Sequence, residues 1–130
     1  MILVDTSAWI EFDRATGSAT DRRLVELIGG SSQIAATEPV LMEVLAGARG
    51  GTERQLLRRV VTSFGWLSLD PTADFAAAAK IYTDCRSQGI APRNLIVCMI
   101  AAVAMRTRSS VLTADRDFAA IATVLPLTLA

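Results

Sequence analysis

Short apolar runs, each followed by a stretch of helical period, recur along this chain. Ile2 to Val4 is short enough for a buried strand, Asp5 closes it, and Thr6 or Ser7 can cap a helix through Trp9, Ile10 and Phe12. After Gly17, the apolar positions Leu24, Val25, Leu27 and Ile28 share one helical face, and Gly29-Gly30 ends that helix before a second strand near residues 33–36. Thr37-Glu38-Pro39 opens another helix, with an acid and a proline in its first turn, and that helix carries Glu43. Gly47 to Gly51 interrupts the pattern, Leu56, Leu57, Val60 and Val61 resume it, and Trp66-Leu67-Ser68-Leu69 reads as a short strand closed by Asp70-Pro71. A long helix is predicted from Ala73 to about Ser87, and Gly89 and Pro92 separate it from one running from Arg93 to about Arg106. Val111-Leu112-Thr113 predicts a strand, Phe118 to Ile121 a short helix and Leu125 to Leu129 a last strand at an edge.

Strands alternating with helices predict an α/β fold with a central parallel sheet covered on both faces. At 130 residues with 52% apolar content, one domain spanning residues 1–130 is expected, and no linker or internal repeat divides it. No run approaches the roughly 18 apolar residues of a membrane span, and the N-terminus lacks the pattern of an export signal. A cytoplasmic protein with no membrane partner is the expectation.

Charge and composition narrow the chemistry. The 13 basic and 13 acidic residues cancel, so overall charge does not point to a polyanion. Lys80 is the sole lysine. The chain has no histidine, which excludes imidazole general bases, Ser-His triads and histidine-ligated zinc. Cys85 and Cys98 lie in predicted helices without zinc-type spacing, so a disulfide is not expected. Hydrolysis by this chain would have to rest on carboxylates and an oxygen-preferring cation.

Asp5, Asp115 and Asp117 stand just beyond predicted strands, where α/β sheets bind ligands. Glu43 stands among Val40, Leu41, Val44 and Leu45, near a buried helical face where a carboxylate needs a partner or a cation. Two or three such acids suit Mg²⁺ or Mn²⁺, which prefers oxygen ligands and retains several waters, and phosphodiester hydrolysis is the natural reaction. The competing reading is local: an Asp after a strand is commonly a helix cap, and Asp117 could cap a helix beginning at Phe118.

Four segments together resemble the PIN-domain ribonucleases, and within them the VapC toxins of bacterial toxin–antitoxin pairs. They are Ile-Leu-Val-Asp5-Thr6-Ser7, Glu38-Pro-Val-Leu-Met-Glu43-Val-Leu-Ala-Gly47, Asn94-Leu-Ile-Val97-Cys-Met-Ile-Ala-Ala102 and Leu112-Thr-Ala-Asp115-Arg-Asp117-Phe118. The resemblance covers almost the whole chain and implies a PIN-like three-layer α/β/α fold. It also implies a Mg²⁺- or Mn²⁺-dependent endoribonuclease acting on structured RNA such as tRNA or ribosomal RNA. A VapB-like antitoxin would neutralise it, operator DNA would be reached only through that antitoxin, and the toxin would be a homodimer. The family pattern puts the metal-site acids at Asp5, Glu43, position 97 and Asp115, with Asp117 beside them and hydroxyls at Thr6, Ser7 and Thr113 in support. Asp5 and Asp115 would be the principal metal ligands, and Arg93 would contact a substrate phosphate.

Position 97 departs from the pattern. The family has an aspartate before the Cys-Met-Ile-Ala-Ala segment, and this chain has Val97. A dry branched group there removes a charge from the site, and losing a supporting acid costs on the order of 10- to 100-fold in affinity or activity. Deliberate inactivation, a lesion selected against a harmful toxin and natural degeneracy all fit; retention of Asp5, Glu43, Asp115 and Asp117 favours inactivation. A non-catalytic pseudo-toxin that binds antitoxin or RNA is the alternative. A phosphoacceptor receiver-like domain is disfavoured, because no lysine stands near the late strand.

Arg93 is expected one helical turn before Val97, on the same face. Arg14, Arg22, Arg23, Arg106, Arg108 and Arg116 read as solvated faces more than as an RNA rim. Trp9, Phe12, Trp66, Phe75 and Phe118 read as core or interface, with Trp9 and Phe12 able to line a partner groove.

Overall fold

The computed structural model describes residues 1–130 as a four-stranded parallel sheet flanked by seven helices, an α/β/α arrangement. In chain order the elements are β1 (Ile2–Val4), α1 (Thr6–Asp13), α2 (Ala19–Gly29), β2 (Ile34–Ala36), α3 (Glu38–Ala46), α4 (Gly51–Val61), β3 (Gly65–Trp66), α5 (Pro71–Ser87), α6 (Leu95–Arg106), β4 (Ser110–Leu112) and α7 (Arg116–Ala122). No helix is long and apolar enough to cross a membrane.

The sheet order is β3-β2-β1-β4, so the chain winds outward from β1 to β2 and β3, then returns to place β4 on the other side of β1. That reversal between β1 and β4 is the topological switch point at which α/β sheets open a crevice beyond their carboxyl ends. In register, Val4 pairs with Leu112, so the residues that follow, Asp5 and Thr113, leave the sheet side by side. The Asp5 N–H to Leu112 carbonyl bond, 2.9 Å, carries the pairing one step beyond the strands.

The strands are only two or three residues long and almost wholly apolar, as expected for strands covered on both faces. A core of 26 buried side chains runs from Leu3 and Val4 through Trp9, Ile100 and Val103 to Phe118 and Ile121. Gly65 lets β3 approach β2, since a side chain there would meet the Ile34 carbonyl oxygen at 2.9 Å.

Several boundaries differ from the sequence expectation. Asp5 caps α1, not Thr6 or Ser7, because its side chain reaches the Ser7 N–H. Asp115 caps α7 by accepting from the Asp117 N–H, so Asp117 is not the cap. Helix α6 starts at Leu95, capped by Asn94 through a 3.0 Å bond to the Val97 N–H, which leaves Arg93 outside the helix. The third strand is Gly65–Trp66, so of the Trp66-Leu67-Ser68-Leu69 run only Trp66 lies in it. The segment from Leu125 to Leu129 forms a single parallel bridge, Val111 to Leu129, instead of a strand. Cys85 and Cys98 are buried free thiols, as expected.

Candidate functional site

Asp5 stands where β1 gives way to α1, and the same carboxylate that caps the helix is 3% exposed and belongs to a polar web. Its Oδ2 accepts from the Ser7 hydroxyl at 2.7 Å, the Ser7 N–H at 3.2 Å and the Thr113 hydroxyl at 3.0 Å. Ser7 Oγ in turn accepts the Ala114 N–H at 2.9 Å and lies 3.1 Å from Thr113 Oγ1, while Thr113 Oγ1 accepts the Asp115 N–H at 2.9 Å. Two hydroxyls thus stitch the end of β1 to the end of β4.

Glu43 arrives from α3. Thr6 Oγ1 donates to its Oε1 at 2.7 Å, so the residue after Asp5 holds the second carboxylate beside the first. Asp115 comes from the turn after β4, where its Oδ1 accepts the Asp117 N–H at 2.9 Å and its Oδ2 is ion-paired with Arg93. The Arg93 N–H donates to Asp117 Oδ2 at 2.9 Å. Arg93 and Val97 therefore reach the same place by a loop and a helix start, without being successive turns of one helix.

These groups line an open cleft of about 580 Å³ that includes Asp5, Glu43, Arg93, Val97, Asp115 and Arg116. Val97 is 3% exposed, part of the apolar core and at the wall of the cleft. Asp5, Thr6, Ser7, Glu43 and Asp115 of the residues singled out in the sequence line the cleft, whereas Thr113 and Asp117 stand behind it, Thr113 bonded to Asp5 and Asp117 to Arg93 and Asp115.

The electrostatics follow from crowding acids in a partly dry cleft. Burial pushes the Asp5 carboxyl above its ordinary value, against the hydrogen bonds of Ser7 and Thr113, which pull it down. Burial also raises Glu43; the Thr6 hydroxyl and Arg93 oppose this, and the negative charges of Asp5 and Asp115 add to it. Asp5 Oδ1 and Glu43 Oε2 accept no side-chain hydrogen bond. Two mutually repelling carboxylates, each with an oxygen to spare, fit a hard divalent cation that keeps several waters. No three acids lie close enough to enclose a cation between them, and Val97 adds an apolar wall beside Asp5, Glu43 and Asp115.

Beside the cleft, and sharing Ile10 and Glu43 with it, runs a smaller groove of about 170 Å³ between α1, α3 and α4. Trp9, Val44 and Leu57 give it apolar walls, with Arg14 and Arg49 among its charged residues. Phe12 does not line this groove; it packs edge-on against Trp9, whose other neighbour is the stacked ring of Phe64. The arginines divide by role. Arg116 and Arg93 border the cleft, Arg23 pairs with Glu26, and Arg106 is committed to the buried Asp74, which removes it from any RNA-facing rim. No local pattern announces that last pairing, which joins α5 to α6 across 32 positions.

Comparison with known proteins agrees with this fold. The PIN domain family pattern matches residues 2–124. The chain is 40% identical over 128 residues to the VapC ribonuclease Mb1587 of Mycobacterium bovis and equally to the ribonuclease VapC11 of Mycobacterium tuberculosis, covering 98% of this chain and 96% of each relative. Among solved structures it is similar in fold to VapBC2 from Rickettsia felis bound to a promoter DNA fragment, with TM-score 0.76 and 17% identity over 100% of this chain and 98% of that one. It is also similar in fold to VapC20 of Mycobacterium tuberculosis, described as a Sarcin-Ricin loop cleaving toxin, with TM-score 0.71 and 16% identity over 98% and 99% of the two chains.

Proposed function

The chain belongs to the PIN-domain family, among the VapC ribonucleases, and from that premise we propose that it is the toxin of a VapBC-like pair, built as a cation-dependent endoribonuclease. The convergence of Asp5, Glu43 and Asp115 at the switch point between β1 and β4 is the observation that carries this reading. Asp5 and Asp115 would hold Mg²⁺ or Mn²⁺, with Glu43 beside them. When bound, such a cation lowers the pKa of a water, orients it for in-line attack and offsets charge on the phosphoryl oxygens.

The chain's own residues supply the rest. Ser7 and Thr113 hold Asp5 in one orientation, and Thr6 does the same for Glu43. Glu43, held by Thr6, would hold a water beside the cation or stand there as a supporting acid. Arg93 and Arg116 border the cleft where an RNA phosphate would lie. Structured RNA, tRNA or ribosomal RNA, is the proposed substrate class. A VapB-like antitoxin would lie along the groove between α1, α3 and α4 and end in the acidic cleft, and would carry any contact with operator DNA. The working form is a homodimer in the cytoplasm.

Val97 leaves the site one acid short, so the chain as it stands is an impaired nuclease. RNA cleavage with mapped 5′ ends, run with Mn²⁺ and with EDTA, compares this chain with Val97→Asp. Cutting by Val97→Asp in Mn²⁺ alone is the expected result. Failure of both to cut a broad RNA pool sinks the nuclease reading in favour of a protein that binds antitoxin or RNA without cleavage.

A further inference from the structure

Of the three carboxylates in the cleft, only Asp115 has both oxygens engaged. The Asp117 N–H takes Oδ1 at 2.9 Å, and the Arg93 guanidinium takes Oδ2. Asp5 and Glu43 gather their hydrogen bonds on Oδ2 and Oε1 respectively, leaving Oδ1 and Oε2 unbonded. Arg93 has a fixed base and a free head. Its N–H is held by Asp117 at 2.9 Å and it immediately precedes the Asn94 cap of α6, while its side chain is 64% exposed against 12% for Asp115. The adjoining wall is Val97, which offers no second acid to draw the guanidinium off.

We propose that Arg93 is an internal counter-charge of this site, occupying Asp115 while the cleft holds no cation and leaving it when a cation or an RNA phosphate arrives. The inference rests on the reading of the cleft as a cation-dependent RNA site. An ion pair with one partner mostly in water is weak and readily exchanged. A guanidinium beside a divalent cation repels it, so cation entry and the docking of Arg93 on Asp115 oppose one another. The planar fork of arginine fits a phosphate as well as a carboxylate, so RNA withdraws Arg93 and exposes Asp115 to the cation. Coupling of this kind is reciprocal: the cation raises RNA affinity by the factor by which RNA raises cation affinity.

Titration calorimetry with Mn²⁺ alone tests this on the full chain, on Arg93→Gln and on Val97→Asp, each checked by thermal melting. Arg93→Gln should bind Mn²⁺ about 3- to 10-fold more tightly than the parent. Fluorescence anisotropy with a 2′-O-methyl RNA oligonucleotide should show a Mn²⁺-dependent gain in RNA affinity that shrinks in Arg93→Gln. Equal or weaker Mn²⁺ binding by Arg93→Gln, or an undiminished gain in RNA affinity, overturns the counter-charge. Tighter binding by Val97→Asp with no change in Arg93→Gln leaves the cation site standing and removes the role of Arg93 alone. Absence of Mn²⁺ binding in every chain overturns the cation site and the counter-charge with it.

Discussion

Thr6 Oγ1 donates a 2.7 Å hydrogen bond to Glu43 Oε1, joining the residue after the first site acid to a carboxylate 37 positions away on α3. Through this bond the first crossover of the fold sets the position of a second acid. Thr6→Val keeps the shape and removes the donor. It should lower stability by about 1 kcal/mol in urea melts and push the Glu43 proton affinity higher still. In a Val97→Asp background, cleavage in single-turnover assays should fall roughly 10-fold. Unchanged cleavage would show that Glu43 needs no orienting partner.

Glu43 also gives a pH signature. Its carboxyl is raised above the ordinary value by burial first and by Asp5 and Asp115 after it. A raised acid binds its proton more tightly in the folded chain, so its ionisation opposes folding, a penalty complete above the folded pKa and absent below the unfolded one. Glu43→Gln keeps an acceptor for Thr6 and removes the charge. Its Tm at pH 7.5 should exceed the parent's by ~1–3 °C, allowing for partial screening by solvent, and the gap should close towards pH 4. A constant gap across that range contradicts the assignment.

Asp74 behaves in the opposite sense. It is 1% exposed, and although burial raises its carboxyl, two bonds from Arg106 and the Asp70 N–H outweigh burial and leave it below the ordinary value. Its contribution to stability is therefore present above the unfolded carboxylate pKa and lost as pH falls through the lower folded value. Arg106→Ala strands the buried acid and should cost roughly 2–4 kcal/mol at pH 7, more than Asp74→Asn, which leaves behind an arginine that reaches water. Equal costs for the two variants in denaturant melts would argue against a stranded charge.

Val97→Asp puts a carboxylate at a position only 3% exposed. Without a cation it should lower stability by roughly 1–3 kcal/mol. Added Mn²⁺ should raise the Tm of the variant more than that of the parent, since a ligand that binds only the folded state stabilises it. Identical Mn²⁺ responses would detach position 97 from the cation.

Cys98 is held unreactive. Burial, with Cys85 and Asp117 adding to it, pushes its thiol up to about 11, and both thiols are buried in the core. Ellman's reagent should therefore modify neither cysteine at pH 8 until the chain is unfolded in denaturant. Rapid labelling of the native chain would contradict this.

Much of the fold was legible in the sequence because its signals are local. Ile2 to Val4, the Gly29-Gly30 stop and Thr37-Glu38-Pro39 each announce an element through residues within a few positions of it, and the structure places those elements accordingly. The errors fell where local signals competed. Pro92 suggested a helix from Arg93, yet the Asn94 side chain offered a better cap, and the Leu125–Leu129 run is apolar enough for a strand but pairs at a single point. Asp5 and Asp115 are helix caps and also line the cleft, so capping a helix does not remove an acid from the cleft.

Residue types and order determined by themselves that the chain would be an α/β protein with acids at its strand ends and no imidazole chemistry. Tertiary structure alone decided which acids meet. The placement of β4 beside β1 brings Asp115 to Asp5, the Thr6 bond brings in Glu43, and the loop before α6 carries Arg93 onto Asp115 while Val97 closes the wall. The physical reason is range. Propensity and periodicity act over a turn or a strand, whereas carboxylate repulsion, ion pairing and burial depend on distances through space that sequence separations of 22 or more positions do not reveal.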